Sequence, residues 1–228
     1  MAAKRRRASG GRDLPGRILD VALAMADEVG WERVRLRVVA ERMGIPMAEV
    51  AAVYRDLDAI GDALFRRGRA AMLAPAPAGF RERPPPDRIL VVIARWLEAL
   101  APHRRVAGQV LRVKLYPSHP HHWVPLIFDL SRTVQWIRDA AGLDAVGVRR
   151  QVEEVGLTAL FLLTLAEWLG DSSPHQERTR GRLSRRLAVA DRAMARLWPG
   201  RSGAARGRSR AAERVGAGPG RRAGRRPP

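Results

Sequence analysis

Residues 36–54 have the sequence LRVVAERMGIPMAEVAAVY, and this stretch decides the fold. Its first half places apolar side chains at the spacing of one helical face: Leu36, Val39, Ala40 and Met43. Gly44 then ends the helix, because glycine readily takes the left-handed conformation of a helix end. After Ile45 and Pro46, a second short helix carries its own apolar face: Val50, Val53 and Tyr54. Two short helices joined by so tight a turn indicate a helix-turn-helix motif.

The flanking sequence supplies the helices against which this motif packs. Upstream, one apolar stripe ends at Gly30: Ile18, Ala22, Met25, Ala26 and Val29. Downstream, another begins near residue 57: Leu57, Ile60, Leu64 and Phe65. We therefore predict a three-helix head with a connecting fourth helix over residues 15–73. A proline-rich linker over residues 74–86 follows, and Asp87 is expected to cap the next helix.

Residues 87–198 form a second block whose periodicity is again helical, with no strand-like alternation. A loop over residues 118–123 is expected to precede a helix with Pro125 in its first turn, where proline is favoured. A long helix over residues 146–169 becomes apolar on every side after Val155, which predicts burial all round. The predicted fold class is all-α, with eight or nine helices in two blocks.

The formal net charge of +19 is concentrated at the ends of the chain. Residues 1–16 contain five basic residues and one acid, and residues 199–228 contain nine arginines and one glutamate. The ends, over residues 1–14 and 199–228, have little to bury and are predicted to be disordered. Residues 17–65 hold six arginines and nine acids, so the helix-turn-helix head is net acidic. The overall charge therefore supports nucleic-acid binding only weakly.

Composition and motifs exclude several function classes. The absence of cysteine excludes disulfides and thiolate metal sites, and the longest nearly uninterrupted apolar run, residues 155–166, is too short to span a bilayer. No signal-peptide core follows the basic start, which predicts a cytoplasmic protein. No nucleophile elbow, phosphate-binding glycine loop or paired-carboxylate motif occurs, so we predict neither enzymatic activity nor a cofactor. His119, His121 and His122 are interrupted by Pro120, which favours a solvated loop over a metal site.

Four features of the head form a recognisable pattern: RILDVA at residues 17–22, Gly30-Trp31, VVAERMGI at residues 38–45, and the spacing to Tyr54 and Ile60. In these features the chain resembles TetR-type repressors. The resemblance implies a DNA-binding head, a connecting fourth helix, and a helical ligand-binding body that dimerises through its last two helices. It therefore implies a ligand-responsive transcriptional regulator that binds double-stranded DNA as a homodimer and takes a small hydrophobic ligand or lipid.

A second pattern lies near the end of the body: Gly156-Leu157, EWLGDSSP at residues 167–174, Thr179, and LSRRL at residues 183–187. This pattern resembles the C-terminal part of the ubiquinone-biosynthesis lipid-binding proteins, which share the TetR fold. It implies an alternative function, in which the protein binds no operator and instead binds an isoprenoid or other hydrophobic lipid, or a partner enzyme.

The residues that correspond to the family's DNA-contacting positions, with the nearby arginines, are Arg35, Arg37, Met47, Ala48, Glu49, Ala51, Ala52 and Arg55. TetR regulators typically carry Ser, Thr, Tyr, His and Lys on the third helix and the turn before it. Here the scaffold positions Val50 and Tyr54 match, but the hydrogen-bond donors are replaced. Base recognition needs donors or acceptors, so the apolar members of the set are left with thymine methyl groups. The Lys4–Arg7 arm offers an additional groove contact.

Two further sets are predicted in the body. Candidates for the ligand pocket are Trp96, Leu100, Leu111, Trp123, Phe128, Trp136, Phe161 and Leu165. Candidates for the dimer interface are Leu162, Leu169, Leu183, Leu187 and Met194. The final helix sets an apolar stripe against many arginines, a pattern that also occurs at membrane surfaces. Packing against a neighbouring helix or a dimer mate is favoured over the membrane.

Overall fold

The computed structural model describes residues 13–116 and 120–199, without the side chains of residues 120–125. Across these residues the chain forms nine α-helices and no strand, which confirms the all-α prediction. The helices are α1 Leu14–Val29, α2 Leu36–Met43, α3 Met47–Val53, α4 Leu57–Met72, α5 Pro85–Leu100, α6 Arg104–Lys114, α7 Pro120–Ala141, α8 Gly147–Leu169 and α9 Glu177–Leu197. The predicted basic arm and Arg-rich tail lie almost entirely outside the described residues.

The helix-turn-helix forms around Gly44, as the sequence predicts. Gly44 has φ +63° and ψ 33°, a left-handed conformation that is unfavourable for residues with a Cβ. The N–H of Ile45 donates to the carbonyl of Ala40 at 3.1 Å, which satisfies one of the free carbonyls at the end of α2. Val39 and Val50 are fully buried, so α2 and α3 pack through their predicted apolar faces.

Helix α4 connects this head to the body. The Asp56 side chain caps its first turn by accepting a hydrogen bond from the N–H of Ala59 at 2.7 Å. Further along α4, a Cβ on Gly68 would lie 3.0 Å from Trp96 Nε1 of α5. This glycine therefore lets the two helices approach closely enough for the indole to lie against the backbone of α4.

Three local predictions in the body are wrong. Helix α5 begins at Pro85, so Asp87 lies in its first turn, where its charge complements the helix dipole, and does not cap it. The predicted loop over residues 118–123 is helical from Pro120 onward, because Pro120 takes the first helical position itself. Helix α8 is not buried all round, since Val155 is 72% exposed. The rest of the described chain therefore leaves part of the apolar surface of α8 exposed.

The turn from α8 to α9 is built on one buried carboxylate. Asp171 accepts hydrogen bonds from the N–H and hydroxyl of Ser173 at 2.8 and 2.6 Å. It also accepts from the N–H and hydroxyl of Thr179 at 2.9 and 2.6 Å. Burial alone would raise the pKa of Asp171, but these bonds outweigh it and hold that pKa well below its usual range. These hydrogen bonds give Asp171, Ser173 and Thr179 a structural role in the turn. All three residues belong to the second sequence pattern, the one that resembles the lipid-binding proteins.

The chain divides into two compact units after Arg186, within α9. The head, helices α4 to α8 and the turn at Asp171 all belong to the first unit. The described part of the second unit is the end of α9 and the two residues that follow it.

Candidate functional site

The outer face of α3 is weakly polar. Met47 is 53% exposed, and Ala48, Glu49, Ala51 and Ala52 are exposed beside it. Among these five, Glu49 carries the single charge, and it is negative. The face therefore offers methyl and thioether surface with one carboxylate, and no side-chain hydrogen-bond donor for a base or phosphate.

The opposite side of α3 is anchored in the head. Val50 is fully buried, and the Tyr54 hydroxyl donates to the Pro15 carbonyl at 3.0 Å. Burial raises the pKa of the Tyr54 phenol. The orientation of α3 is therefore fixed by packing and by one long-range hydrogen bond to the start of α1.

The three predicted arginine contacts lie on the surface of the head, each with a partner in the chain. Arg35 donates to the carbonyls of Glu32 and Val34, and the side chain of Arg37 pairs with Glu41 at 3.3 Å. Arg55 pairs with Asp56 at 2.7 Å. Exposed pairs of this kind contribute little stability, so each guanidinium is available to a phosphate at low cost.

Helix α6 joins the head to the body. The backbone N–H of Trp31, in the turn that follows α1, donates to Gln109 Oε1 of α6 at 2.7 Å. Just before α6, His103 Nδ1 lies 2.6 Å from Asp27 Oδ2 of α1. A Cβ on Gly61 of α4 would lie 2.9 Å from a methyl carbon of Val110. The N-terminal part of α4 thus packs closely against the second half of α6, and both contact Trp31 of the head.

A cavity of about 490 Å³ lies among helices α4 to α8. Its size is within the range that holds a drug-sized ligand. Most of the lining is apolar: Phe65, Trp96, Leu111, Leu115, Leu126, Ile127, Leu130, Phe161, Leu162, Leu165, Ala166 and Leu169. The rest is polar or charged: Asp62, Arg66, Arg69, Lys114, Asp129 and Thr133.

Trp96 forms the aromatic wall of this cavity. Its ring stacks on Phe65 of α4 with centroids 6.1 Å apart and meets Phe161 of α8 edge-on at 5.2 Å. Both arrangements are favourable for aromatic quadrupoles. Three helices therefore contribute one continuous aromatic surface to the cavity.

An ion pair between Lys114 of α6 and Asp62 of α4 lies in the same lining. Lys114 Nζ is 2.8 Å from Asp62 Oδ1, and Lys114 is only 6% exposed, whereas the Asp62 side chain is 36% exposed. A buried ammonium needs a counter-charge, and Asp62 supplies it here. Sequence reasoning missed this pair. The sequence feature that could have indicated it is the rarity of lysine, since Lys4 and Lys114 are the two lysines among 42 basic residues.

The predicted pocket residues fall into three groups. Trp96, Leu111, Phe161 and Leu165 line the cavity together. Leu100 is fully buried but is not part of the lining, and Phe128 and Trp136 lie on exposed faces of α7. The side chain of Trp123 lies outside the described residues. Helix α7 carries aromatic residues on its exposed face as well as apolar residues on its cavity face. Sequence spacing alone did not show which of its aromatics face the cavity.

The predicted dimer-interface residues are also divided. Leu162 and Leu169 line the cavity, Leu183 and Leu187 are buried, and Met194 is half-buried. Leu162 is also 45% exposed, and the other exposed apolar residues of α8 recur at intervals of three and four: Val148, Val152, Val155, Ala159, Leu163 and Ala166, the last of which also lines the cavity. They form a stripe along one face of α8, which we call the α8 stripe.

Within the part of the chain that the structure describes, no three His, Asp or Glu side chains converge as a metal site would require. Of the three histidines of the predicted solvated loop, His119 and the side chains of His121 and His122 lie outside the part that the structure describes, while the backbone of His121 and His122 belongs to α7. Among the described residues, no helix combines the length and the hydropathy that a membrane-spanning segment requires.

Comparison with solved structures identifies relatives of this fold. The chain is similar to a TetR transcriptional regulator from Nitrosomonas europaea ATCC 19718, with 36% identity and a TM-score of 0.71 over 78% of this chain and 98% of that one. A TetR transcriptional regulator from Rhodococcus sp. RHA1 shares the fold at 18% identity and TM-score 0.55, over 76% and 92% of the two chains. The TetR family regulator PfmR from Thermus thermophilus does so at 16% and 0.50, over 75% and 97%. No family model and no curated protein matches the chain.

Proposed function

The chain belongs to the TetR family of transcriptional regulators, and from this premise we propose that it is a homodimeric, DNA-binding regulator whose DNA affinity responds to a ligand in the cavity. The observation that carries the proposal is the double role of α4. Its first turns pack close to α6 and the head, and its residues Asp62, Phe65, Arg66 and Arg69 line the cavity. A ligand that moves α4 therefore acts on the head directly.

DNA binding would depend mainly on the phosphate backbone. Arg35 and Arg37 lie on the surface at the start of α2, and Arg55 follows the end of α3. The exposed face of α3, the recognition helix, is Met47, Ala48, Glu49, Ala51 and Ala52. Phosphate contacts supply affinity without sequence information, whereas apolar groups select thymine methyls in the major groove. We infer that the DNA affinity is modest and falls steeply as the salt concentration rises, because phosphate contacts supply most of it. We also infer a preference for A·T-rich half-sites.

Dimerisation would use the exposed α8 stripe. The members Val148 and Val155 are 69% and 72% exposed, and a row of apolar side chains on one helix face seldom stays in contact with water. A twofold interface is built from the same surface on both copies, so a stripe on α8 is suited to pack against itself. Two heads would then be held at a fixed spacing for two half-sites.

Fluorescence anisotropy with the DNA upstream of the protein's own gene tests the DNA-binding step. We expect a salt-sensitive complex, and we expect the double variant Arg37→Ala/Arg55→Ala to weaken it and to lower the log–log salt slope by about 0.9 for each phosphate that is no longer neutralised. Arg150→Ala, which removes an exposed arginine of α8, serves as the matched control. The regulator proposal fails if no complex forms at low salt.

One observation favours a second function, that of a TetR-fold lipid carrier or partner-binding protein that does not bind DNA. The exposed face of α3 has a negative charge at Glu49 and no side-chain donor, while the body contains a largely apolar cavity. Native mass spectrometry of protein purified from its own host tests this function. A copurified isoprenoid or other lipid, together with no DNA shift, would support it, and an empty cavity would count against it.

A further inference from the structure

The charges in the cavity wall are unequally paired. Asp129 is engaged by Arg132 at 2.8 Å, and Asp62 is engaged by Lys114. Arg66 and Arg69 line the cavity from the same helix as Asp62, and neither forms a salt bridge with an acid among the described residues. The cavity therefore combines an aromatic and aliphatic wall with a polar side that carries an excess of positive charge.

The position of Lys114 calls for a compact cation. Basic residues in this chain are almost all arginine, yet the buried position on the cavity wall carries lysine. A Cβ on Gly61 would lie 3.9 Å from Lys114 Cε, so the lysine stem runs close beside the backbone of α4. An ammonium is a point charge with three rotatable donors, whereas a planar guanidinium needs more space. The site is therefore suited to hold one charge and to exchange its partner.

We propose that the cavity binds a single-chain amphiphile with an anionic oxygen headgroup, and that this headgroup replaces Asp62 as the partner of Lys114. This inference rests on the proposed function in placing the ligand in the regulatory cavity. The alkyl chain would lie along Trp96, Phe161 and Leu165, where apolar surface is removed from water. The headgroup would reach Lys114, with Arg69 on its outer side.

The exchange leaves no charge stranded. Asp62 is partly exposed, so water can solvate it once it leaves Lys114. Arg66 stands four residues further along α4, and an acid that precedes a base by four residues forms a favourable pair on a helix. Separation of Asp62 from Lys114 also removes the ion pair that joins α4 to α6. The ligand thus gains a partner and loosens α4 in the same step.

Isothermal titration calorimetry of the purified full chain tests the proposal with four probes that share one alkyl chain. These probes are decanoate, decyl phosphate, decanol and decyltrimethylammonium. We expect decanoate or decyl phosphate to bind at least about tenfold more tightly than decanol, which is the effect of one charge-assisted hydrogen bond. The two anions distinguish a fatty acid from a phosphorylated lipid as the source of the headgroup. If decanol or the ammonium probe binds as tightly as both anions, the proposal is wrong.

Two variants should change anion binding in opposite directions. Lys114→Met removes the partner and should weaken binding of the preferred anion by about tenfold or more, while decanol binding stays within about twofold. Asp62→Asn removes the competitor and should tighten anion binding severalfold. Arg112→Met, an exposed cation on the same helix, is the matched control and should change neither. A purely structural ion pair would instead make Lys114→Met and Asp62→Asn weaken all probes alike, which would overturn the exchange.

The two proposals fail separately. Anion binding is measured without DNA, so a missing DNA complex overturns the regulator and leaves the ligand class standing. Conversely, a salt-sensitive DNA complex with no preference for the anionic probes refutes the ligand class alone. Circular dichroism of each variant confirms that it is folded; if Lys114→Met is unfolded, Asp62→Asn and Arg112→Met still decide the outcome, since tightening by Asp62→Asn alone is specific to the exchange.

Discussion

Replacing Asp171 with Asn removes one charge from the turn between α8 and α9 and changes its shape very little. Asp171 is 5% exposed, and both of its oxygens accept from Ser173 and Thr179. Asparagine has one oxygen and one NH2 group in the same positions. The NH2 group cannot accept hydrogen bonds. The N–H and hydroxyl of either Ser173 or Thr179 would therefore face a donor instead of an acceptor.

The size of the effect follows from those contacts. A hydrogen bond to a charged group contributes about 1.5–3 kcal/mol. Two such bonds are removed, but the Ser173 hydroxyl is half-buried and can turn towards water if Asn places its oxygen near Thr179. We therefore expect Asp171→Asn to lower the free energy of unfolding by roughly 3 kcal/mol. For a chain of this size, that corresponds to a fall in Tm of about 6–12 °C.

The effect should also depend on pH in one direction. The pKa of Asp171 is depressed in the folded chain, so its stabilisation is complete above the pKa of an unfolded aspartate, about 3.9. It is lost as the pH falls through the lower, folded pKa. The difference in stability between the natural chain and Asp171→Asn should be constant above about pH 5 and should shrink in stronger acid.

Urea unfolding followed by far-ultraviolet circular dichroism measures this difference at several pH values. Asp191→Asn makes the same chemical change at an exposed position of α9 and should stay within about 0.5 kcal/mol of the natural chain. Equal unfolding midpoints for the two variants, or a gap that persists unchanged in acid, would falsify the assignment of Asp171 as the carboxylate that holds the turn.

Three further substitutions test the head and the cavity wall. Glu49→Lys should steepen the log–log salt dependence of DNA binding by about 0.9 for each head that gains a phosphate contact, as measured by anisotropy, and an unchanged slope would mean that α3 does not face DNA. Tyr54→Phe should cost about 1 kcal/mol in urea unfolding, because it removes the hydrogen bond to Pro15, and a neutral result would show that this bond contributes nothing. Gly68→Ala should cost about 1–3 kcal/mol and shift the tryptophan fluorescence, because its Cβ would press on Trp96; stabilisation would instead mean that the indole moves aside freely.

The head could be predicted from sequence because its determinants are local. Gly44 adopts the expected left-handed conformation, and Val50 and Tyr54 are buried as the apolar spacing requires. Each of these outcomes depends on residues within a few positions of one another, where periodicity and turn chemistry act. The same spacing places Met47 on the exposed side of α3, which the structure bears out.

The cavity was only half predictable. Trp96 and Phe161 belong to apolar faces that must meet somewhere, and the structure brings them together. The charged side of the lining depends on contacts between distant segments, such as Lys114 with Asp62, for which local pattern carries no signal. Helix α8 shows the opposite difficulty, because an apolar sequence does not specify whether its own chain or a second molecule covers it.

Because lysine is so rare in this sequence, the cavity wall can be labelled selectively at one side chain. Lys4 and Lys114 are the two side-chain amines of the sequence, and Lys4 lies far from the cavity residues in the chain. An amine-directed reagent would therefore mark the cavity wall at one position. Lys114 is nearly inaccessible while it is paired with Asp62, so its rate of labelling would report how often α4 and α6 part. The labelling rate of Lys114 would therefore measure the motion of α4, the connecting helix, without a ligand or DNA.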